Sequence, residues 1–287
     1  MPKQKPNEQV QQIPLSEIRP FKNHPFKVTD DELMQQTIDS IMQVGVLNPA
    51  IIRPAPEGGY EMVAGHRRLH AADLAGLKTI PAIVRNLDDD EAVILMVDSN
   101  LQREHILPSE RAFAYKMKLD AIKKQGARSD LTSAQIGPKL TAAEKVAEEA
   151  NDTKSQVKRF IRLTCLVPEL LDMVDEKKIA FNPAVELSYL DEAQQRDFLE
   201  AMNDTQNFPS LSQAQRLKKM AQNGQFSYDV AFAIMGEAKK DELDKVVIKN
   251  DTLKKYFPRN YTPKQMEDTI IKLLEQWQKK RQRSEER

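Results

Sequence analysis

The sequence has little of what marks exported, membrane-bound or cysteine-liganded proteins. Cys165 is the only cysteine in 287 residues, and one cysteine can form neither an internal disulfide nor a cysteine-based zinc site. No apolar run approaches the roughly 20 residues that a membrane-spanning helix needs. Residues 1–12 are polar and lack the hydrophobic core of a signal peptide. These absences predict a protein of the reducing cytoplasm, with Cys165 packed in a core and no membrane contact.

The chain also lacks an excess of charge of either sign. It has 43 basic and 43 acidic residues, so its net charge gives no reason to expect a polyanionic partner. A nucleic-acid surface would have to come from a local cluster of basic residues. Aromatic residues are only 6% of the chain, which favours a helix-rich, modular protein over one large barrel. At about 100–200 residues per domain, this length predicts two domains or three small ones.

The pattern of apolar residues divides the chain into four segments. Residues 1–12 are predicted to be a disordered arm, and residues 13–106 alternate short strands with amphipathic helices. Residues 107–222 are almost wholly helical, apart from a polar loop predicted at 126–139. Residues 223–287 are predicted to be a linker and a C-terminal segment. The chain therefore reads as an α+β N-terminal domain, an all-α domain and a small, mostly helical C-terminal segment.

Boundaries within these segments follow from capping and turn residues. In the N-terminal domain we predict strands at 50–53, 60–64 and 79–84, and helices at 32–43, from 66 to about 76, and at 91–99. In the rest of the chain we predict helices at 108–124, 141–150, 154–163 and 262–281, further helices over 168–221, and a β-like run at 245–249.

The tetrapeptide Gly65-His66-Arg67-Arg68 stands where a strand turns into a helix. Glycine lets the backbone approach a ligand closely, and the helix start offers free N–H groups and the positive end of its dipole. Two adjacent arginines add forked donors that suit phosphate oxygens. The motif predicts a di- or triphosphate site, although it is not a Walker A loop. A solvent-facing helix start with two surface arginines is the alternative.

A second polar cluster, residues 99–104, closes the last helix of the N-terminal domain. Its amide, guanidinium and carboxylate groups could hold a phosphate together with a metal ion. An amphipathic helix end with surface ion pairs is the alternative, and the sequence of this cluster alone does not decide between them.

Taken in order, these motifs resemble those of the ParB/Spo0J/Noc partition-protein family. The resemblance runs from about residue 13 to residue 165. The matching segments are RPFKNHP at 19–25, GVLNP at 45–49, YEMVAGHRR at 60–68, AGLKTIPAIV at 75–84, SNLQR at 99–103 and LPSERA at 107–112. Several ordered matches are far more specific than any one of them.

The resemblance implies an N-terminal domain that binds CTP and Mg²⁺ and switches a dimer into a clamp around DNA. Phosphates would be held by the 65–68 loop, and Asn100 would help hold the metal. The implied nucleotide-binding set is Val46, Leu47, Gly65, His66, Arg67, Arg68, Ser99, Asn100 and Arg103. Many family members have glutamate where this chain has His66 and Ser99. The loss of two carboxylates near a divalent ion puts the slow CTP hydrolysis of the family in doubt here.

Residues 145–163 have the pattern of a helix-turn-helix. The second helix has apolar residues on one face and no acidic residue between Thr153 and Leu163. Short polar side chains at its start suit base edges, and the cations suit phosphates. The predicted DNA-binding residues are Thr153, Lys154, Ser155, Gln156, Lys158, Arg159 and Arg162. A basic surface helix in a bundle is the alternative. The position of this pattern directly after the ParB-like segments favours the DNA-binding interpretation.

Basic residues also crowd the helix before this motif, where they would line a channel for duplex DNA, with a solvated basic face as the alternative. They are Arg111, Lys116, Lys118, Lys123, Lys124 and Arg128. The apolar face of the terminal helix, around Trp277, predicts a homodimer seam, with folding back onto its own domain as the alternative. In the family, a ParA-type ATPase engages the N-terminal arm.

The function predicted from the sequence is site-specific binding of a parS-like DNA site with a CTP-dependent clamp. Two other classes stay open. One is a transcriptional regulator or nucleoid-associated protein without nucleotide turnover, and the other is a phosphotransferase or nuclease built on the same fold.

Overall fold

A computed structural model describes residues 9–103, 105–130, 140–237, 253, 256–258 and 261–285. The chain divides into two compact units, residues 1–236 and residues 237–287. In the second unit, the described part is dominated by one long helix, α12 (Pro263–Glu285). The β-like run predicted at 245–249 lies outside the described residues. No helix in these ranges is long and apolar enough to cross a membrane.

A mixed five-stranded sheet forms the centre of the N-terminal part. Its strands are β1 (Val10–Pro14), β2 (Ile18–Arg19), β3 (Ala50–Pro54), β4 (Tyr60–Ala64) and β5 (Thr79–Val84), in the spatial order β1-β5-β3-β4-β2. Strands β5 and β3 are parallel, as are β4 and β2, whereas β1–β5 and β3–β4 are antiparallel. The predicted strands at 60–64 and 79–84 are confirmed. The disordered arm is wrong for residues 10–12, which pair with β5; residues 1–8 lie outside the described range.

Three helices accompany the sheet: α1 (Glu32–Val44), α2 (His66–Leu74) and α3 (Asp89–Leu101). The Asp31 carboxylate caps α1 by accepting from the Met34 N–H, and Asp88 forms a capping box with Glu91 at the start of α3. Helix α1 packs on α2, while α3 packs on α4 and β4. Helix α3 thereby joins the sheet domain to the helical part of the chain.

Eight helices follow in the described part of the first unit. They are α4 (Pro108–Asp130), α5 (Ala142–Glu149), α6 (Lys154–Leu163), α7 (Pro168–Asp175), α8 (Phe181–Leu187), α9 (Glu192–Thr205), α10 (Leu211–Gln222) and α11 (Tyr228–Gly236). The loop predicted at 126–139 is wrong for residues 126–130, which continue α4, because one glycine among good helix formers costs only about 1 kcal/mol. Residues 131–139 lie outside the described part.

Packing in the helical part differs from the sequence prediction at two places. Helix α11 packs against α9, although its sequence was assigned to the C-terminal segment that begins at residue 223. Cys165, predicted to be a core thiol, is exposed. Its neighbours Leu163, Leu166 and Val167 are buried, so the apolar run is real but this one side chain points out of it.

Candidate nucleotide and DNA sites

The turn between β4 and α2 is built for a close approach of another group. Gly65 has φ of +114°, in the region that favours glycine. A Cβ added there would lie 3.2 Å from Arg68 Nη2 and 3.3 Å from Ala50 Cβ. No side chain caps the start of α2, so the first N–H groups of the helix are left for a ligand or solvent.

Three arginines surround this turn, each held by a different contact. Arg67 Nη2 lies 2.9 Å from Asp31 Oδ1. Arg68 Nη1 donates to the carbonyl oxygens of Asn48, at 2.5 Å, and Pro49, at 2.9 Å. Arg103 stacks over the Phe26 ring, 5.4 Å from its centroid. Burial lowers the pKa of Arg68 and Arg103, but a guanidinium stays charged. The site therefore concentrates positive charge.

Two cavities adjoin at these arginines. The smaller, about 200 Å³, is lined by Ala64, Gly65, His66, Arg67, Arg68, Ser99, Asn100 and Arg103. The larger, about 780 Å³, is bordered by Arg67, Arg68 and Arg103 as well, and by Val46 and Leu47. All nine residues of the predicted nucleotide-binding set line one cavity or both. Their roles stay a prediction, but the structure does bring them together.

His66 is the first residue of α2 and is buried. Its ring stacks on that of His24, with ring centroids 3.8 Å apart. Its Nε2 accepts a hydrogen bond from the Phe21 N–H at 3.4 Å. The proton of the neutral ring therefore sits on Nδ1, which is buried without a partner in the described residues. Burial, with smaller effects of His24 and Arg103, lowers the pKa of His66 to about 3. His66 is thus a neutral ring at neutral pH, and it is one of the residues that line the small cavity.

The end of α3 contributes Ser99 and Asn100 to the lining of the small cavity. The Asn100 side chain is 4% exposed, and its Nδ2 donates to the Met96 carbonyl at 2.8 Å and to Ser99 Oγ at 3.4 Å. These bonds occupy the amide nitrogen, so Oδ1 is the atom that a cation would use. No carboxylate of the described residues lines this cavity, and those residues contain no group of three metal-ligating side chains. The cavity fits phosphates, but it does not fit a protein-held Mg²⁺.

Helix α6 is the second helix of the predicted helix-turn-helix, the recognition helix, and is called the reading helix below. It follows α5 through a short turn. Thr153 caps α6 by accepting from the Gln156 N–H, and Asn151 adopts φ of +52° in the turn. Of the four apolar residues predicted for the buried face of α6, Val157, Phe160 and Leu163 are buried, and Ile161 is half-buried. Tyr115 on α4 donates to Asp152 Oδ2 at 3.1 Å. The turn is therefore tied to α4.

The seven predicted DNA-binding residues are not equally available. Thr153, Ser155 and Lys158 are exposed. Lys154 pairs with Glu144 at 3.0 Å. Arg159 stacks on Phe181 and donates to Asn182, and Arg162 donates to the Ser188 carbonyl and stacks on Tyr189. The two arginines serve packing inside the helical domain, which the sequence pattern did not indicate.

The predicted basic lining of α4 is wrong for Lys118, which is 0% exposed. Its ammonium pairs with Asp98 on α3 and with Glu149 on α5. Sequence reasoning also missed Asp31 and Glu110, two carboxylates that border the larger cavity. Asp30 and Asp31 are both candidate caps in the sequence, but the contact of Asp31 with Arg67 depends on how α1 packs against α2.

Comparison with known proteins shows which family the chain resembles. The ParB N-terminal domain model matches residues 1–101. The chromosome-partitioning protein Spo0J of Thermus thermophilus is 36% identical over 182 residues, 63% of this chain and 61% of that protein. Stage 0 sporulation protein J of Bacillus subtilis is 40% identical over 133 residues, 46% of this chain and 44% of that protein. Each match spans less than two thirds of the relative's length.

Among solved structures, one of the matches is the C-terminally truncated chromosome-partitioning protein ParB from Caulobacter crescentus, complexed to the centromeric parS site. It aligns with 74% of this chain and 100% of its own, at 23% identity and a TM-score of 0.43.

Proposed function

The chain belongs to the ParB/Spo0J/Noc family, and from that premise we propose that it is a partition protein that binds a parS-like DNA site and uses CTP to close as a clamp on DNA. The proposal places its action on the nucleoid in the cytoplasm, in the segregation of a chromosome or a plasmid.

The observation that carries the nucleotide part is the ring of donors around the small cavity. Gly65 at the start of α2, which no described side chain caps, and the arginines Arg67, Arg68 and Arg103 all line it. A cavity of about 200 Å³ suits a phosphate chain. The adjoining cavity of about 780 Å³, with Val46 and Leu47 on its border, has room for the base and ribose.

Mg²⁺ would enter this site mainly on the phosphates, with Asn100 Oδ1 as the one protein oxygen proposed for it. Bound there, the cation would supply charge neutralisation of the phosphate chain. The chain's own residues bind and orient the phosphates, and no described carboxylate lines the small cavity to activate water. Turnover of CTP is therefore left out of the proposal.

The DNA part is supported by the geometry of α5 and α6. Thr153, Ser155 and Lys158 form an exposed polar edge on a helix whose other face is buried. Such an edge can enter a major groove and reach both base edges and phosphates. Dimerisation would use the exposed apolar side chains of α12, Ile271, Leu273, Leu274 and Trp277. A ParA-type ATPase partner stays a prediction, because residues 1–8 are outside the described range.

Calorimetric titration of the full chain with CTP, ATP and GTP, each with Mg²⁺ and with or without a parS duplex, tests the nucleotide part. We expect selective CTP binding. The double variant Arg67→Ala with Arg68→Ala should weaken it by about 100-fold or more, because each bond to a charged group contributes about 1.5–3 kcal/mol. Arg19→Ala is the control, since Arg19 pairs with Glu57 on the surface. Equal CTP affinity in the double variant would remove these arginines from the site.

Retention on DNA with blocked ends tests the clamp. A clamp accumulates on closed DNA that carries the site when CTP is added, and escapes when one end is opened. A repressor of the same fold would occupy its site equally on open and closed DNA.

A further inference from the structure

Lys118 lies at the meeting point of three helices. It is a fully buried residue of α4, and its ammonium pairs with Asp98 of α3 and, at 2.6 Å, with Glu149 Oε2 of α5. The carboxylates reach solvent, since their side chains are 43% and 53% exposed. One cation therefore holds two surface carboxylates that belong to different parts of the first unit.

Each carboxylate stands next to a proposed binding element. Asp98 immediately precedes Ser99 and Asn100, which line the small cavity. Glu149 is the last residue of α5 and leads into the turn before the reading helix. Tyr115, one turn before Lys118 on α4, holds the same turn through Asp152. The end of α3 and the start of the reading element are thus both attached to one segment of α4.

A buried ammonium penalises separate movement of these attachments. An ion pair in the interior costs desolvation, and replacing such a pair by apolar groups is often neutral or stabilising. Lys118 is therefore not needed to stabilise the fold in the way that a core leucine is. If the end of α3 shifts and Asp98 withdraws, the buried cation keeps only Glu149 as a partner. That loss disfavours any state in which α3 moves while α4 and α5 stay in place.

We propose that Lys118 is the positioning residue through which occupancy of the nucleotide cavity changes the affinity of α6 for DNA. This inference rests on the proposed function, because it needs both ligands to bind. The coupling between the nucleotide cavity and α6 would pass through the Lys118 ammonium, which lies between Asp98 and Glu149. Coupling between two sites is reciprocal and typically amounts to about 5–150-fold in affinity.

The experiment measures the dissociation constant of the full chain for a parS duplex with and without saturating CTP and Mg²⁺. Their ratio is the coupling factor. We expect Lys118→Met to bring that ratio to about one while each ligand, titrated alone, still binds. Methionine fills a similar space, and both carboxylates stay solvated. Lys219→Met is the control, because Lys219 is an exposed lysine of α10 outside the predicted nucleotide- and DNA-binding residues, and it should keep the wild-type ratio.

A second variant guards against a folding defect in the first. Asp98→Asn removes one carboxylate and leaves the pair of Lys118 with Glu149, and it should reduce the coupling factor as well. In a double-mutant cycle, Asp98→Asn and Glu149→Gln should act non-additively on the factor when Lys118 is present and independently when residue 118 is methionine. A merely structural role for Lys118 would change stability without this pattern.

The outcomes separate the two proposals. If wild type binds neither CTP nor the duplex alone, the proposed function fails at that step, before any variant is compared. If wild type binds both and its coupling factor is one, or if Lys118→Met and Asp98→Asn keep the wild-type factor, the inference about Lys118 is overturned while the proposed function stands.

Discussion

Arg67 and Asp31 face each other at the border of the larger cavity, with Nη2 2.9 Å from Oδ1. The hydrogen bond from Arg67, followed by that from the Met34 N–H, lowers the pKa of Asp31 to about 2. Asp31 thus stays ionised, and it would compete with a bound phosphate for the same guanidinium. A carboxylate that caps α1 therefore already pairs with one arginine of the proposed phosphate site.

Removing that carboxylate should strengthen nucleotide binding. Asp31→Asn keeps the helix cap, because asparagine caps helices as well as aspartate does, but it frees Arg67 and removes a negative charge. We expect CTP affinity to rise about two- to fivefold, the scale of an exposed ion pair. Calorimetry measures it, with Asp39→Asn on the exposed face of α1 as control. Weaker binding in Asp31→Asn would mean that Asp31 positions Arg67 rather than competing for it.

His66 should make the stability of the fold depend on pH. Burial lowers its folded-state pKa to about 3, against about 6.5 in the unfolded chain. Between these values the unfolded chain binds a proton that the folded chain does not, so stability falls as pH drops from 6.5 towards 3. The slope is about 1.4 kcal/mol per pH unit.

Urea unfolding at pH 6.5 and pH 5 measures this effect. His66→Gln should lose roughly 2 kcal/mol less than wild type over that interval. His105→Gln, at an exposed position, should follow wild type. The same loss in His66→Gln as in wild type would show that His66 is not the group responsible.

Local signals predicted much of this molecule, and tertiary contacts account for the rest. The strand at 60–64 and the helix at 154–163 follow from the periodicity of their apolar residues, which is a property of neighbouring residues. The cap of that helix was expected at Asn151 and Asp152, and the structure has it at Thr153. The nine nucleotide-site residues came from family resemblance, and the structure gathers them. Residues 10–12 have no strand pattern of their own and become ordered only by pairing with β5.

The basic residues show most clearly what local sequence signals cannot predict. In sequence, Lys118 is one cation among several on α4, and nothing local separates it from Lys116. Its burial depends on where α3 and α5 place Asp98 and Glu149, 20 residues before and 31 residues after it in the chain. Similarly, the sequence predicts Arg162 as a DNA-binding residue, whereas in the fold it contacts Ser188 and Tyr189, which follow α8.

A buried glutamine joins the segment after α6 to α9. Gln195 is 1% exposed. Its Oε1 accepts from the Val167 N–H at 2.7 Å, and its Nε2 donates to the carbonyls of Cys165 and Leu190 at 3.0 and 2.9 Å. Gln195→Leu keeps the volume and removes all three bonds. Since buried polar groups left without a partner cost about 1–3 kcal/mol each, we expect a loss of about 3 kcal/mol or more.

Chemical unfolding of the Gln195→Leu variant checks this value. Gln215→Leu, an exposed position on α10, should change stability by less than about 0.5 kcal/mol. A loss as small as this in Gln195→Leu would mean that water replaces the three bonds.

Lys158 should contribute one phosphate contact to DNA binding, since it is an exposed cation on α6. The dependence of log affinity on log salt concentration changes by about 0.9 for each phosphate neutralised. We therefore expect Lys158→Ala to flatten that slope by about 0.9 and to weaken binding of all duplex sequences alike. Lys78→Ala, at an exposed position of the sheet domain, should leave the slope unchanged.

Arg162→Ala should behave differently from Lys158→Ala, because the Arg162 guanidinium donates to the Ser188 carbonyl and stacks on the Tyr189 ring. We expect it to lower thermal stability while changing the salt slope by less than Lys158→Ala does. Fluorescence anisotropy with a labelled duplex between 50 and 200 mM salt gives the slopes, about the range over which phosphate contacts dominate. A full loss of 0.9 in Arg162→Ala would show that this arginine leaves Ser188 and turns to the DNA backbone on binding. An unchanged slope in Lys158→Ala would take the exposed edge of α6 out of the interface.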